Sequence, residues 1–160
     1  MSIDDIMEHV RALEGVLALT PQAGDGSPEI SWGDAFFYYA PDGHVPRAQP
    51  FATIVTKDYP DDPITGPGRP DAFRVNIAVG AVEFARLTGH APGVDAADHD
   101  DPVAPADVLA PHPVYGHLGW LAVVNPAERT SGTVLHLLTL AHHAARSRHH
   151  RRADAGQNPR

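Results

Sequence analysis

Hydrophobic positions recur along this chain with two periods, one helical and one of strands. In the first segment Ile3, Ile6, Met7, Val10 and Leu13 fall at i, i+3, i+4, i+7 and i+10, a single apolar stripe along a helix. Ser2 stands where a helix takes its N-cap, and Asp4 and Asp5 follow in the first turn, where carboxylates suit the positive end of the helix dipole. Gly15 is the expected stop. A second apolar periodicity closes the chain. In SGTVLHLLTLAHHAARSR, Val134, Leu138, Ala141 and Ala145 share a face, Thr130 or Ser131 is placed to cap, and arginines crowd the C-terminal end.

Between these helices the pattern changes to strands. VLALT, ending at Pro21, is short and apolar, and ISWGDAFFYYA loads aromatics onto both faces, with a break at Gly33-Asp34. FATIVTKDY follows, before a proline-rich stretch, PDDPITGPGRP, that cannot join a sheet. FRVNIAV alternates most cleanly: Phe73, Val75, Ile77 and Val79 lie on one side, Arg74 and Asn76 on the other. AVEFARLTG predicts a short helix with Val82, Phe84 or Ala85, and Leu87 facing inward. PADVLAPHP has room for one helical turn, and LGWLAVV is a buried strand closed by Asn125-Pro126. Strands joined by short turns argue for an antiparallel sheet. The expected fold class is α+β, an antiparallel sheet of about four to five strands with the N-terminal and C-terminal helices packed on one face. A single domain is expected over residues 1–150, with a disordered basic tail over 151–160.

Composition narrows the function classes. Cysteine is absent, which removes disulfides, thiolate ligands and cysteine nucleophiles together. The N-terminus lacks the basic and apolar regions of a signal peptide, and no stretch reaches the roughly 18 apolar residues of a membrane helix. A cytoplasmic, soluble protein with no membrane partner is the expectation. Charge is uneven: residues 1–127 carry a net −12 and residues 128–160 a net +4. An acidic body repels phosphate backbones and makes nucleic acid a disfavoured partner, although the end RSRHHRR could meet an anion.

Eleven histidines against one lysine draw attention to metal. Spacing argues otherwise. No two of His136, His142, His143, His149 and His150 stand four apart, the separation that lets one helix face chelate an ion. In the turn PHPVYGHLGW, His112 and His117 are free of helical geometry, yet a third ligand would have to come from His99, Asp98 or Asp100. Neither a GxSxG elbow nor a glycine-rich phosphate loop occurs, and the paired carboxylates Asp61-Asp62 and Asp100-Asp101 lie in loops. No metal and no cofactor is therefore expected. Arg74, Asn76 and Lys57 project from the polar side of the sheet, where they meet solvent unless an overhanging loop turns that side into a groove.

Several stretches resemble the MmcQ/YjbR-like proteins, small α+β domains. RALEGV resembles the end of that family's first helix. GDAFFYYA, PFATIV and FRVNIAV resemble its successive central strands, and LGWLAVV its tryptophan-led strand. The final helix occupies the closing position, and the likeness spans residues 3–145. The chain looks still more like an uncharacterised actinobacterial set of domains sharing HPVYG, GW and this helix. The resemblance implies the α+β fold and, for some members, a winged DNA-binding surface; it carries no catalytic residue.

The resulting expectation is a domain that binds a small molecule or a protein partner in a groove between the sheet and the HPVYGHLGW turn. His112, Tyr115, His117, Trp120, Arg74, Asn76 and Lys57 are its candidate residues. Two alternatives stand beside it: an enzyme using His112 or His117 as general base or metal ligand, and a nucleic-acid-associated protein acting through its Arg/His-rich C-terminal end.

Overall fold

A computed structural model describes residues 1–60, 62–64, 71–94 and 104–156. The elements run α1 (Ile3–Arg11), β1 (Val16–Leu19), β2 (Ala35–Tyr39), β3 (Ala52–Val55), β4 (Arg74–Ala78), α2 (Gly80–Thr88), β5 (Ala110–Pro111), β6 (Trp120–Val124) and α3 (Ser131–Gly156), with short 3-10 turns at Glu29–Ser31 and Gly116–Leu118. The strands form one antiparallel sheet in the order β1-β2-β3-β4-β6-β5. The fold is α+β, as the strand and helix patterning predicts. The sheet has six strands rather than four or five, because the two-residue β5 forms where a helical turn was expected. Its partner is β6, which supplies the hydrogen bonds a lone extended pair lacks.

The core follows from alternation. Ala35 and Phe37 of β2, Ala52 and Ile54 of β3, Val75 and Ile77 of β4, and Leu121 and Val123 of β6 meet Ile6, Met7 and Val10 of α1 and Val134, Leu137, Leu138 and Ala141 of α3. The two terminal helices therefore share one face of the sheet and touch each other. Phe84 brings α2 into the same cluster, whereas Val82 is 82% exposed, against the inward placement its spacing predicts. Phe84 is the fully buried side chain of α2, Leu87 packs beside it, and a left-handed Gly89 caps the helix.

The helix ends show local chemistry at work. The Ser2 hydroxyl accepts from the Asp5 N–H at 3.1 Å, and the Asp5 carboxylate accepts from the Ser2 N–H at 2.7 Å, a reciprocal cap. The helix closes at Arg11, capped by Ala12, four residues before the expected Gly15 stop. Gly15 (φ +67°) makes the following turn instead. There its carbonyl accepts from Ala40 N–H at 2.8 Å, and a Cβ would come within 2.7 Å of the Tyr39 ring. At the start of α3 the cap comes from a distant residue. Asp107 accepts from the N–H groups of Ala127, Arg129 and Thr130 and from the Thr130 hydroxyl.

The final helix also runs further than expected. It continues through residues 151–156, where a disordered tail was anticipated; residues 157–160 lie outside the described chain. At 26 residues it is about 39 Å long, against about 17 Å for a five-residue strand. Its buried residues end at His142, so its last turns overhang one end of the sheet. His142 is 2% exposed and donates Nε2–H to the Glu14 carbonyl at 2.6 Å. The periodic stripe of His136, His143 and His150 is exposed.

Candidate functional site

Alternation sends Arg74 and Asn76 to the face of β4 opposite the helices, and this is where the polar-face expectation is corrected. They do not meet solvent: Arg74 is 3% and Asn76 2% exposed. The turn after β5 and the segment around Asp62 overhang them. The register sets Asn76 opposite Thr53 on β3, and the Asn76 amide donates to the Thr53 hydroxyl at 2.9 Å. Arg74 donates through Nη1 and Nη2 to the two carboxylate oxygens of Asp62, both at 2.6 Å, and through Nε to Asn76 Oδ1 at 2.7 Å. This is a two-pronged buried ion pair whose side chains are 3% and 14% exposed.

His112 closes the cluster. Its Nδ1 accepts from the backbone N–H groups of Val114 and Tyr115, both at 3.0 Å, so the tight turn after Pro111 is wound around the imidazole. Its Nε2 lies 3.1 Å from Arg74 Nη2. Both ring nitrogens therefore face N–H donors, and a neutral imidazole has only one lone pair to offer them. Burial, and then the charge of Arg74, hold the His112 pKa down at about 4, with Asp62 opposing. Such a group is a poor general base at neutral pH: its proton sites are occupied or blocked, and no side is open to a substrate. Tyr115 packs over the ring at 4.9 Å and Trp120 meets it edge-on at 6.5 Å. The space beside Arg74, bounded by Pro63, Pro111, Pro113 and Ala122, holds about 20 Å³, too little for an organic ligand.

The other two sequence candidates lie apart from this cluster. His117 is exposed, with Nδ1 3.1 Å from the Val114 carbonyl, so the two histidines of HPVYGH do not converge. Lys57 belongs to a second network. Its ammonium donates to the Trp32 carbonyl at 2.6 Å and to buried Asp34 at 3.2 Å, and Asp34 also accepts from Thr56 and from the Tyr59 hydroxyl. Burial, and then the Asp34 carboxylate, push the Tyr59 phenol above its ordinary value. This network ties the loop at Trp32 to the end of β3. Among the described residues no group of three or more His, Asp or Glu side chains is placed to hold a metal ion. Asp61, Asp98, His99, Asp100 and Asp101 lie outside the described residues.

A larger space opens at the end of the sheet that α3 overhangs. It is a cleft of about 450 Å³, within the range of small-molecule sites. Tyr38 and Tyr39 at the end of β2, Ala78 at the end of β4 and Trp120 at the start of β6 line it. Leu118 comes from the HPVYGHLGW turn, and Gln49 and Pro50 from the chain entering β3. Arg148 and Arg152, one helical turn apart on α3, complete it. Burial raises the Tyr38 phenol from its ordinary value. Burial, followed by the charges of Arg152 and Arg151, lowers the Arg148 guanidinium. Beneath the cleft the Tyr39 ring is met edge-on by His142, His149 and His150 at 5.7, 5.2 and 6.0 Å.

Only Trp120 of the seven sequence candidates lines this cleft. Tyr38, Gln49, Leu118, Arg148 and Arg152 were not singled out. The one available signal was the four-residue spacing of Arg148 and Arg152 within a run read as a solvated helix end.

Residues 1–154 fit the model of a family of unknown function (DUF6194). No curated protein matches the chain, and no solved structure does.

Proposed function

The chain belongs to DUF6194, a family of unknown function, and we propose that it is a domain that binds a small organic molecule in the cleft under the overhanging end of α3. The observation that carries this reading is the cleft itself. It has about 450 Å³ of space with two aromatic walls, Tyr38 and Trp120, and a small residue, Ala78, between them. The sheet order puts β2 and β6 three strands apart, roughly 14 Å. A flat ring can rest on Ala78 with an aromatic side chain at either edge. Burying it there gains about 25 cal/mol per Å² of apolar area, without the ordering of a mobile loop. The rigid sheet end positions these groups, which suits a preformed site.

The reading differs from a groove built on His112. The Arg74–Asp62–Asn76–His112 cluster is closed in under the β5–β6 turn, whereas the cleft is lined by the far end of that turn, at Leu118 and Trp120. The histidine-rich turn then acts by positioning Leu118 and Trp120.

Thermal-shift screening of planar aromatic metabolites tests the proposal. At least one class should raise the melting temperature, and Ala78→Phe, which fills the cleft floor, should abolish that rise while leaving the free protein folded. If no compound stabilises the wild type, or if stabilisation persists in Ala78→Phe and in Trp120→Ala alike, the cleft is not the site.

A further inference from the structure

We infer that the cleft's ligand carries a phosphoryl group, gripped by the guanidinium groups of Arg148 and Arg152, with its ring directed toward Trp120 and Tyr38. The inference rests on the cleft being the ligand site.

Charge is the starting point. The chain carries 20 Asp and Glu against 12 Lys and Arg, yet no acidic residue is among those lining the cleft, and two arginines are. Four cations elsewhere are matched. Lys57 pairs with Asp34, Arg74 with Asp62, Arg86 with Glu83, and Arg146, on the neighbouring turn of α3, with Glu14. Arg148 and Arg152 have no ion-pair partner among the described residues, and their like charges repel, in company with Arg151. Placing cations near a helix C-terminus answers the macrodipole. It does not account for two on one face, turned onto an aromatic cleft.

Geometry selects the anion. Residues four apart on a helix are separated by about 6 Å along its axis, within reach of a single group by two long side chains. Each guanidinium offers a planar fork of donors that fits two oxygens. A carboxylate has two oxygens and one charge, enough for one fork. A phosphoryl group has three terminal oxygens and up to two charges, enough for both. Gln49, also in the lining, adds an amide able to donate to the same group or to a ring substituent.

The test compares three molecules with one ring system: naphthyl phosphate, naphthoate and naphthol. Their affinities for the full chain are measured by titration calorimetry at about 150 mM salt, so that diffuse attraction is screened. Naphthyl phosphate should bind about tenfold more tightly than naphthoate, a difference of about 1.4 kcal/mol. In the exposed double variant Arg148→Ala/Arg152→Ala it should fall to the level of naphthol, whose own affinity stays unchanged. Arg129→Ala, away from the cleft, should alter nothing. Equal binding of phosphate and carboxylate, or a phosphate advantage that survives the double variant or Ala78→Phe, overturns the inference. If naphthol binds and Ala78→Phe excludes it while phosphate brings no advantage, the cleft stands and the phosphoryl assignment falls. If none of the three binds the wild type, both fall.

Discussion

Arg74 Nη2 and His112 Nε2 face each other at 3.1 Å inside the protein, while the same nitrogen donates to Asp62 at 2.6 Å. A cation is thus set against an imidazole whose other nitrogen already accepts two backbone N–H groups. The carboxylate makes this tolerable: it pairs with the arginine, and the histidine stays neutral beside it.

Arg74 should therefore be among the most costly residues to remove. Arg74→Ala leaves the Asp62 carboxylate without its partner and Asn76 Oδ1 without its donor. A loss of about 3–5 kcal/mol is expected, measured as a shift in urea midpoint. A cost under about 1 kcal/mol would mean that the pair is as dispensable as an exposed one.

His112 makes stability depend on pH with a defined sign. Its folded pKa of about 4 lies below the ordinary value of 6.5. Above about pH 6.5 both folded and unfolded states are neutral at this position, and the group is silent. As the pH falls from there to about 4, the unfolded chain takes up a proton that the folded chain refuses, and stability drops. His112→Asn keeps an acceptor near the Nδ1 position and has no proton to take up. Its melting temperature should decline less steeply across that window than the wild type's. Parallel curves for the two proteins would count against a depressed His112.

Asp107 caps α3 from 20 or more residues away in sequence, with its backbone at φ +58°. The Thr130 hydroxyl and three N–H groups hold its pKa down at about 2, from 3.8. The stability this contributes is present above the unfolded pKa and is lost as pH falls toward 2. Asp107→Ala should lower the melting temperature at pH 7 by roughly 2–4 °C. Asp107→Asn, which keeps one acceptor and tolerates the left-handed backbone, should lose less. Calorimetry of the two variants separates these outcomes.

Gly119 joins the histidine turn to β6 at φ +85°, and a Cβ there would stand 3.0 Å from the Gly80 carbonyl carbon. Gly119 O also accepts from the N–H groups of Val79 and Gly80. Gly119→Ala is expected to cost about 1–3 kcal/mol and to shift the Trp120 backbone. The readout is a red shift of tryptophan emission together with reduced stability; unchanged emission and stability would show that this junction yields freely.

Much of the fold was legible in the chain because its causes are local or periodic. The stripe of Ile6, Met7 and Val10, the Ser2–Asp5 cap and the alternation of Val75 and Ile77 against Arg74 and Asn76 each follow from backbone geometry over a few residues. So does the tryptophan-led strand that HPVYGH introduces. The candidate site was legible only in part. Arg74, Asn76 and His112 do come together, but as a buried network, because the Asp62 segment and the β5 turn cover them. Neither covering element has a periodic signature. Lys57 and His117 sit elsewhere, since chain proximity to a strand end says nothing of which loop folds over it.

What this sequence determined by itself is which faces are apolar, and hence an antiparallel sheet with its two terminal helices on one side. Tertiary structure alone decided the rest. It made a solvent-like polar pair into a buried ion network, let a remote aspartate cap the last helix, and carried that helix past the sheet so that Arg148 and Arg152 line one cleft with Trp120. Hydrophobic periodicity reports burial relative to an element's own axis. It holds no information about which distant segment arrives to cover a face, and the cleft is made of such arrivals.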